Sequence, residues 1–599
     1  AAGRQVRLWY RRGGGADGNV VAGTLTQLKD AVPGVTVTNP DPASGGRAAE
    51  TLENAMLRAP QELYSLERAV TARDFERVAK GSSGAIARAR AVTGVELWRH
   101  AQAGTVEVLM VPHVADELRR GAVTAALMTQ YANADALARA QAALDERRPL
   151  GTRVQAGWVR YKGVKVAARV VVRRGEDPAR IRARLMDRLH GFLTPLPGSA
   201  HAEGWRFGES LRIGQVYDLL LAEPGVRYAD NVRLVVDGAP DQDVSSVAPD
   251  SFQPRTFYAA AGPTVFRTMD DGEGWEPVHA FATETAKLVK AHPQVPGLVV
   301  AVAANASDTA STIHISNDCG ESFVAPVEIA LSVDDVEWTR RDGVPLLLLA
   351  TNRGLYELSM AAGSVPIQVL VDPADQDLGF YSVAATVGAS GAVSVAVAAR
   401  EGQGVYHSND AARPGTFRLI GLRGEDIRVL AVQRDGPNAF LWAGVAAPGQ
   451  AGKGCYRWRI WDAPDSRGEW TQLSKGWQGG SCLALTFTDS RVLAASHRAG
   501  VLWLDMARAD AQWTASDVAS GLPIQELTRF EPVSGLAVSP NGAPVLAGGP
   551  RGIYRTHDAA GPYEHVSSPI FTDQVTLPDT WLFTSGAHEL TVVAEGEGR

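Results

Sequence analysis

Seven strand ends recur down the second half of this chain at near-even spacing. They are Thr268, Ser316, Leu358, Ser408, Trp458, Leu504 and Thr556, separated by 48, 42, 50, 50, 46 and 52 residues. Around each anchor run an apolar strand, a break of small residues and a Gly–aliphatic–aromatic strand. Helical periodicity is absent from about residue 250 onward. A repeat of this length with all-β texture leaves few folds open, because one such unit cannot bury its own apolar face and must stack on its neighbours. The spacing predicts one four-stranded blade per repeat and a seven-bladed β-propeller over residues 245–566.

Two repeats carry a further pattern after the anchor: Thr268-Met269-Asp270-Asp271-Gly272-Glu273-Gly274-Trp275 and Ser316-Asn317-Asp318-Cys319-Gly320-Glu321-Ser322-Phe323. A stretched version follows Ser408, with Asp410 and Phe417, and a worn one follows Thr556, with Asp558 and Tyr563. These lines resemble the Asp-box of sialidase-type propellers. The chemistry is local: Thr268, Asp270, Ser316 and Asp318 offer oxygens to nearby backbone N–H groups, Gly272 and Gly320 take a left-handed turn position, and Trp275 and Phe323 pack beneath. The eight residues are therefore read as structural. Sialidases also need an arginine cluster for the substrate carboxylate and a Tyr/Glu pair, and no such set stands out here. Nor does a convincing carboxylate pair for other glycosidases. His314, His407, His497 and His557 lie near strand ends without metal-ligand spacing. No catalytic, cofactor-binding or metal-binding residue is expected, and no cofactor.

The first 240 residues read as α+β. Asn39-Pro40 and Asp41-Pro42 impose extended backbone. A helix is expected over 47–58, and Thr71 with Asp74 forms a capping-box variant for another. Strands are expected over 92–98 and 105–112, then a long helix over 125–147. Val154–Tyr161 and Val164–Val172 read as a strand pair turned at Lys162-Gly163. Asp177-Pro178 caps a helix with Ile181, Leu185, Leu189 and Leu193 on its apolar face. A helix over 213–222 and a strand over 231–236 close this part. The Gly-rich run Arg11–Gly15 lacks a following Lys-Ser/Thr and reads as a turn, not a phosphate cradle. Trp205 and Phe207, in the turn 204–208, are candidate interface anchors, with a core role equally open.

Several segments of this front part resemble baseplate J-like wedge proteins of contractile phage tails and injection systems. They are Asn39-Pro40…Gly45-Gly46…Glu50…Leu52-Glu53, Arg68-Ala69-Val70-Thr71…Asp74-Phe75, Arg148–Val154 and Gly204–Gly208. Residues 573–593 are similar to the closing segment of such a protein. The resemblance implies a non-enzymatic α+β wedge subunit of a six-fold baseplate, with other wedge subunits, tail tube, sheath and hub proteins as partners. The expected division is 1–38, the end of an upstream β domain; 39–124 and 125–244, two wedge subdomains; 245–566, an inserted propeller; and 567–599, strands returning to the wedge. The alternative is a carbohydrate-binding or sialidase-like propeller protein acting on surface glycans.

Charge is uneven. Residues 1–240 hold 34 Lys and Arg against 25 Asp and Glu, and the remainder holds 25 against 41. The arginines are spread through amphipathic elements without interleaved aromatics, so nucleic acid is not an expected partner. No apolar run reaches membrane-spanning length, and no membrane insertion is expected. Three cysteines, Cys319, Cys455 and Cys482, exclude a disulfide framework, and synthesis in the cytoplasm is expected. The missing initiator Met suggests sequence upstream of Ala1.

Overall fold

A computed structural model of the chain describes residues 68–92 and 105–596, apart from 120, 199–200, 202, 237, 254, 362, 389–390, 437, 448–450, 461–467, 509, 527, 559 and 568–569, together with parts of 15–56. The expected turn at 11–14 falls outside these residues, as do most of the helix over 47–58 and the strand beyond Val92. The chain divides into two compact units: residues 1–236 with 571–599, and residues 237–570.

Among the described residues of the second unit are seven four-stranded antiparallel sheets, each a simple meander. Their first strands are Val244–Pro249, Thr285–Ala291, Val333–Arg341, Phe380–Val387, Ile427–Asp435, Cys482–Phe487 and Gly535–Val538. Each first strand packs beside that of the next sheet, and Gly535–Val538 packs beside Val244–Pro249. This closes a β-propeller. The seven sequence anchors all fall in third strands. Apolar cores lie between consecutive sheets. Leu348, Phe380, Val395 and Phe417 bind the third sheet to the fourth, and Leu493, Val501, Leu536 and Val545 the sixth to the seventh. Fully buried runs such as Val299–Ala304 are apolar on both faces because each sheet is covered on both. At the seam the backbones come close: a Cβ on Gly548 would lie 2.4 Å from Val244 Cγ1. The three cysteines are free and buried, with Cys455 Sγ 3.9 Å from Cys482 Sγ.

The first unit has two main sheets. In one, Thr105–Pro112 is flanked by Ile86–Val92, antiparallel, and Arg153–Trp158, parallel. The helix Ala72–Ser82 packs on it, started by a reciprocal capping box between Thr71 and Asp74. The single helix expected over 125–147 is two, Ala125–Gln130 and Ala134–Arg147. Asn133 caps the second, accepting from Ala136 N at 3.1 Å, while buried Tyr131 ends the first. The expected hairpin at Lys162-Gly163 does not form. Arg160–Val172 runs straight through those residues as one strand, paired with Val226–Val236 on one side and with Trp581–Ser585 and Glu589–Ala594 on the other. Partners supplied from the far end of the chain override the local turn signal, and Lys162 is buried.

Candidate functional site

The first strands share a feature that no apolar pattern announces. In six of the seven sheets the register with the second strand slips by one residue near the start, at Val244/Ser246, Ala286/Leu288, Val333/Asp335, Phe380/Ser382, Ile427/Val429 and Cys482/Ala484. The extra residues are Ser245, Lys287, Asp334, Tyr381, Arg428 and Leu483. A bulge leaves its residue outside the ladder and re-aims the side chain. Because first strands line the ring's interior and all run the same way, these side chains gather at one mouth of the hub.

They contact one another from sheet to sheet. Ser245 Oγ donates to Ala286 O at 3.0 Å. Lys287 Nζ donates to Asp308 Oδ2 at 2.9 Å, to Ser332 Oγ at 3.0 Å and to Asp334 Oδ1 at 3.1 Å. Asp334 also pairs with Arg400. The Arg400 guanidinium lies 4.4 Å from the Tyr381 ring centroid, and that of Arg428 lies 3.7 Å from it. Arg428 is held by Asp426 through two nitrogens at 2.9–3.1 Å. Three cations, Lys287, Arg400 and Arg428, thus face three carboxylates, Asp308, Asp334 and Asp426. One layer deeper, Ser382 Oγ donates to Asp335 Oδ2 at 2.6 Å and accepts from Leu430 N at 3.0 Å, stapling three sheets together.

The mouth is half-buried, densely supplied with donors and acceptors, and balanced in charge. It suits a hydroxyl-rich ligand better than an ion, since each charge already has its counter-charge. Sequence reasoning missed it. The signal was available in spacing: Lys287, Asp334, Tyr381 and Arg428 recur every 47 residues.

The box residues sit elsewhere. They occupy turns between third and fourth strands, which in a meander open on the opposite face from the start of the first strand. Thr268 Oγ1 donates to Asp270 Oδ1 at 2.8 Å and accepts from Gly272 N at 3.0 Å, and Asp270 Oδ1 accepts from Gly274 N at 2.7 Å. Ser316, Asp318 and Gly320 repeat the geometry, with Ser316 Oγ 2.8 Å from Gly320 N and Asp318 Oδ1 2.9 Å from Ser322 N. Gly272 and Gly320 have φ of 85° and 86°. Trp275 is fully buried, and Phe323 packs at the edge of the core between the first two sheets. These oxygens are committed to backbone.

Trp205 is 1% exposed, which removes it as an interface anchor. Its ring meets Phe192 and Phe583 edge-on, at 5.2 and 5.5 Å, and its Nε1 donates to Glu209 O at 2.9 Å. Phe207 is half-buried beneath the Arg88 guanidinium, 5.3 Å from the ring centroid.

A second polar cluster lies in the first unit. Ser585 Oγ is 2.7 Å from His190 Nδ1 and 2.8 Å from His588 Nε2. His588 Nδ1 accepts from Val166 N at 3.0 Å, so Nε2 carries the hydrogen and donates to Ser585, which donates in turn to His190. Burial lowers the pKa of both imidazoles, that of His588 to about 4. His588 cannot accept the serine proton in this tautomer. With Ser585 1% exposed, the cluster fastens the tail strands rather than presenting a nucleophile.

No family model matches the chain, and no curated protein matches it. Solved structures do. One is a GH74 xyloglucanase from Xanthomonas campestris, at 16% identity over 59% of this chain and 55% of that one, with a TM-score of 0.41. Another is a GH74 enzyme from Niastella koreensis, at 14% identity over 58% and 54%, with a TM-score of 0.42. A third is an ancestral GH74 enzyme, at 16% identity over 54% and 46%, with a TM-score of 0.40. The chain spans about half the length of these structures. These three structures are glycoside hydrolases and not baseplate proteins, and the baseplate J-like reading is corrected accordingly. With it go the α+β wedge domains, the six-fold ring, the tube, sheath and hub partners, and the exclusion of enzymatic activity. Those expectations rested on short motifs, several of them turns that any α+β unit requires.

Proposed function

We propose that this protein is a glycan-binding β-propeller protein, with seven blades inserted into a second domain whose chain resumes near residue 571. The ligand is a neutral, hydroxyl-rich oligosaccharide held at the hub mouth. The observation that carries this reading is the connected run Lys287–Asp334–Arg400–Tyr381–Arg428. Four of its five members are bulge residues on successive first strands, Arg400 follows the second strand of the fourth sheet, and the run presents paired charges with a tyrosine among them. Sugar hydroxyls both donate and accept, so each can bridge a carboxylate and a neighbouring cation. The charge balance disfavours an anionic ligand at this place.

The test is calorimetric titration of the full chain with a panel of neutral oligosaccharides, repeated on Tyr381→Ala and Asp334→Asn. Binding weakened about tenfold or more in each variant supports the reading. Unchanged affinity in both, or no binding of any neutral glycan, ends it. Reducing-end release followed in the same samples decides whether the mouth also turns its ligand over.

A further inference from the structure

The first unit contains a cleft of a different character, with a volume of about 1180 Å³. Six cationic side chains line it: Arg73, Arg77, Lys80, Arg88, Arg90 and Arg206. Their placement follows from local geometry. Positions 73, 77 and 80 share one face of the helix Ala72–Ser82, and 88 and 90 share one face of the strand Ile86–Val92. Arg206 comes from the turn after Trp205.

The acidic residues of the cleft do not balance this charge. Asp74 is spent on the helix cap, accepting from Thr71 N at 2.9 Å and pairing with Arg77. Glu76 accepts from Ala91 N at 3.0 Å. Glu203 remains, close enough to Arg88 to favour its charge. Arg88 is fixed, donating through Nη1 to Trp205 O at 2.9 Å and to Pro195 O at 2.5 Å. Arg73, Arg90 and Arg206 are exposed and make no such bonds within the described residues.

We propose that this cleft binds a linear acidic oligosaccharide through carboxylate or sulfate groups spaced along the sugar chain. Five of the six cations are arginines, whose planar forks match such oxyanions two bonds at a time. Single-stranded nucleic acid is disfavoured because it stacks bases on aromatic faces. The one aromatic ring here, Phe207, is covered by Arg88. An acidic peptide is disfavoured because the lining offers few apolar recesses for side chains. This site is independent of the hub mouth, lies in the other unit, and selects an anionic rather than a neutral ligand.

Fluorescence anisotropy with the full chain separates the alternatives. The probes are a labelled oligogalacturonate, a heparin-derived oligosaccharide, a single-stranded DNA and a poly-glutamate, at low and at physiological salt. Binding of either acidic oligosaccharide, weaker at higher salt, is expected, with the carboxylated and sulfated probes showing which oxyanion fits better. Arg90→Gln combined with Arg206→Gln should weaken it roughly tenfold. Lys80→Gln should weaken it in the same direction by less, and Arg508→Gln, on the propeller, should leave it unchanged. A melting curve matching the parent chain certifies each variant. No binding by the parent chain, tighter binding of DNA or poly-glutamate, or unchanged affinity in the certified Arg90/Arg206 and Lys80 variants overturns the proposal.

Discussion

The propeller solves one packing problem seven times, whereas the first unit uses each of its parts once. Every blade is a meander whose two faces are covered by its neighbours, so the apolar content of the ring is distributed over interfaces of similar build. The first unit concentrates its order in a few unlike contacts: one capped helix, one aromatic cluster around Trp205, and one long strand that gathers partners from residues 226–236 and 581–594. Repetition tolerates local decay, and the worn boxes after Ser408 and Thr556 show it. Singular contacts have no spare copy.

The sharpest way to break this contrast is Trp205→Ala. Removing a fully buried indole from the aromatic cluster that joins Phe192 to the tail residue Phe583 should cost the first unit about 3–5 kcal/mol. Denaturant unfolding followed by separate probes for the two units should show the first unit's transition displaced and the propeller's in place. A shared shift of both transitions would mean that the units do not fold separately.

Acid should act on both units. His292 and His407 in the propeller and His588 in the first unit are buried imidazoles whose pKa values burial lowers from 6.5 to about 4. The unfolded chain takes up these protons first. The contribution is therefore complete above pH 6.5 and declines as pH falls toward 4, by on the order of 2 kcal/mol for each histidine. Unfolding midpoints measured between neutral pH and pH 4.5 should fall, and His407→Gln should flatten the propeller's share of that slope.

Gly548→Ala tests the seam. The added methyl meets Val244, and the expected cost is about 1–3 kcal/mol, confined to the propeller transition. The smallest effects compare one box with another. Asp270→Ala strands the buried N–H of Gly274 and should cost about 1–2 kcal/mol. Asp558→Ala frees the exposed N–H of Ala560 and breaks a solvent-exposed ion pair with Arg491, and should cost less than about 1 kcal/mol. Equal costs would mean that box regularity carries no stability.

What the sequence revealed divides along the same line. The repeats were legible because one pattern recurs at near-even spacing, so that noise in any single copy averages away. The capping box at Thr71 and Asp74 and the capped helix after Asp177 were legible because their chemistry is local. The continuous strand Arg160–Val172 was not, because what keeps it straight is a partner more than 400 residues away. The hub mouth escaped for another reason. A bulge shifts register by one residue, and these half-buried first strands mix apolar and polar residues too irregularly for alternation to report the shift. Trp205 shows the limit of residue type: an indole in a Gly-flanked turn leaves anchor and core equally open until the phenylalanines that enclose it are located.

The ring is closed without exchange of strands. Its first sheet is drawn wholly from residues 244–280 and its last wholly from residues 535–566. Among the described residues, no backbone ladder crosses the join between them. The stretch Ile570–Thr572, where the chain leaves the ring, lies beside Val226–Val236, the strand from which the chain enters it. That pairing works as a clasp, holding entry and exit together so that the join need not do so alone. Nicking the backbone near residue 568 should let deuterium into the first and last sheets ahead of the others, and the wheel should open from its latch.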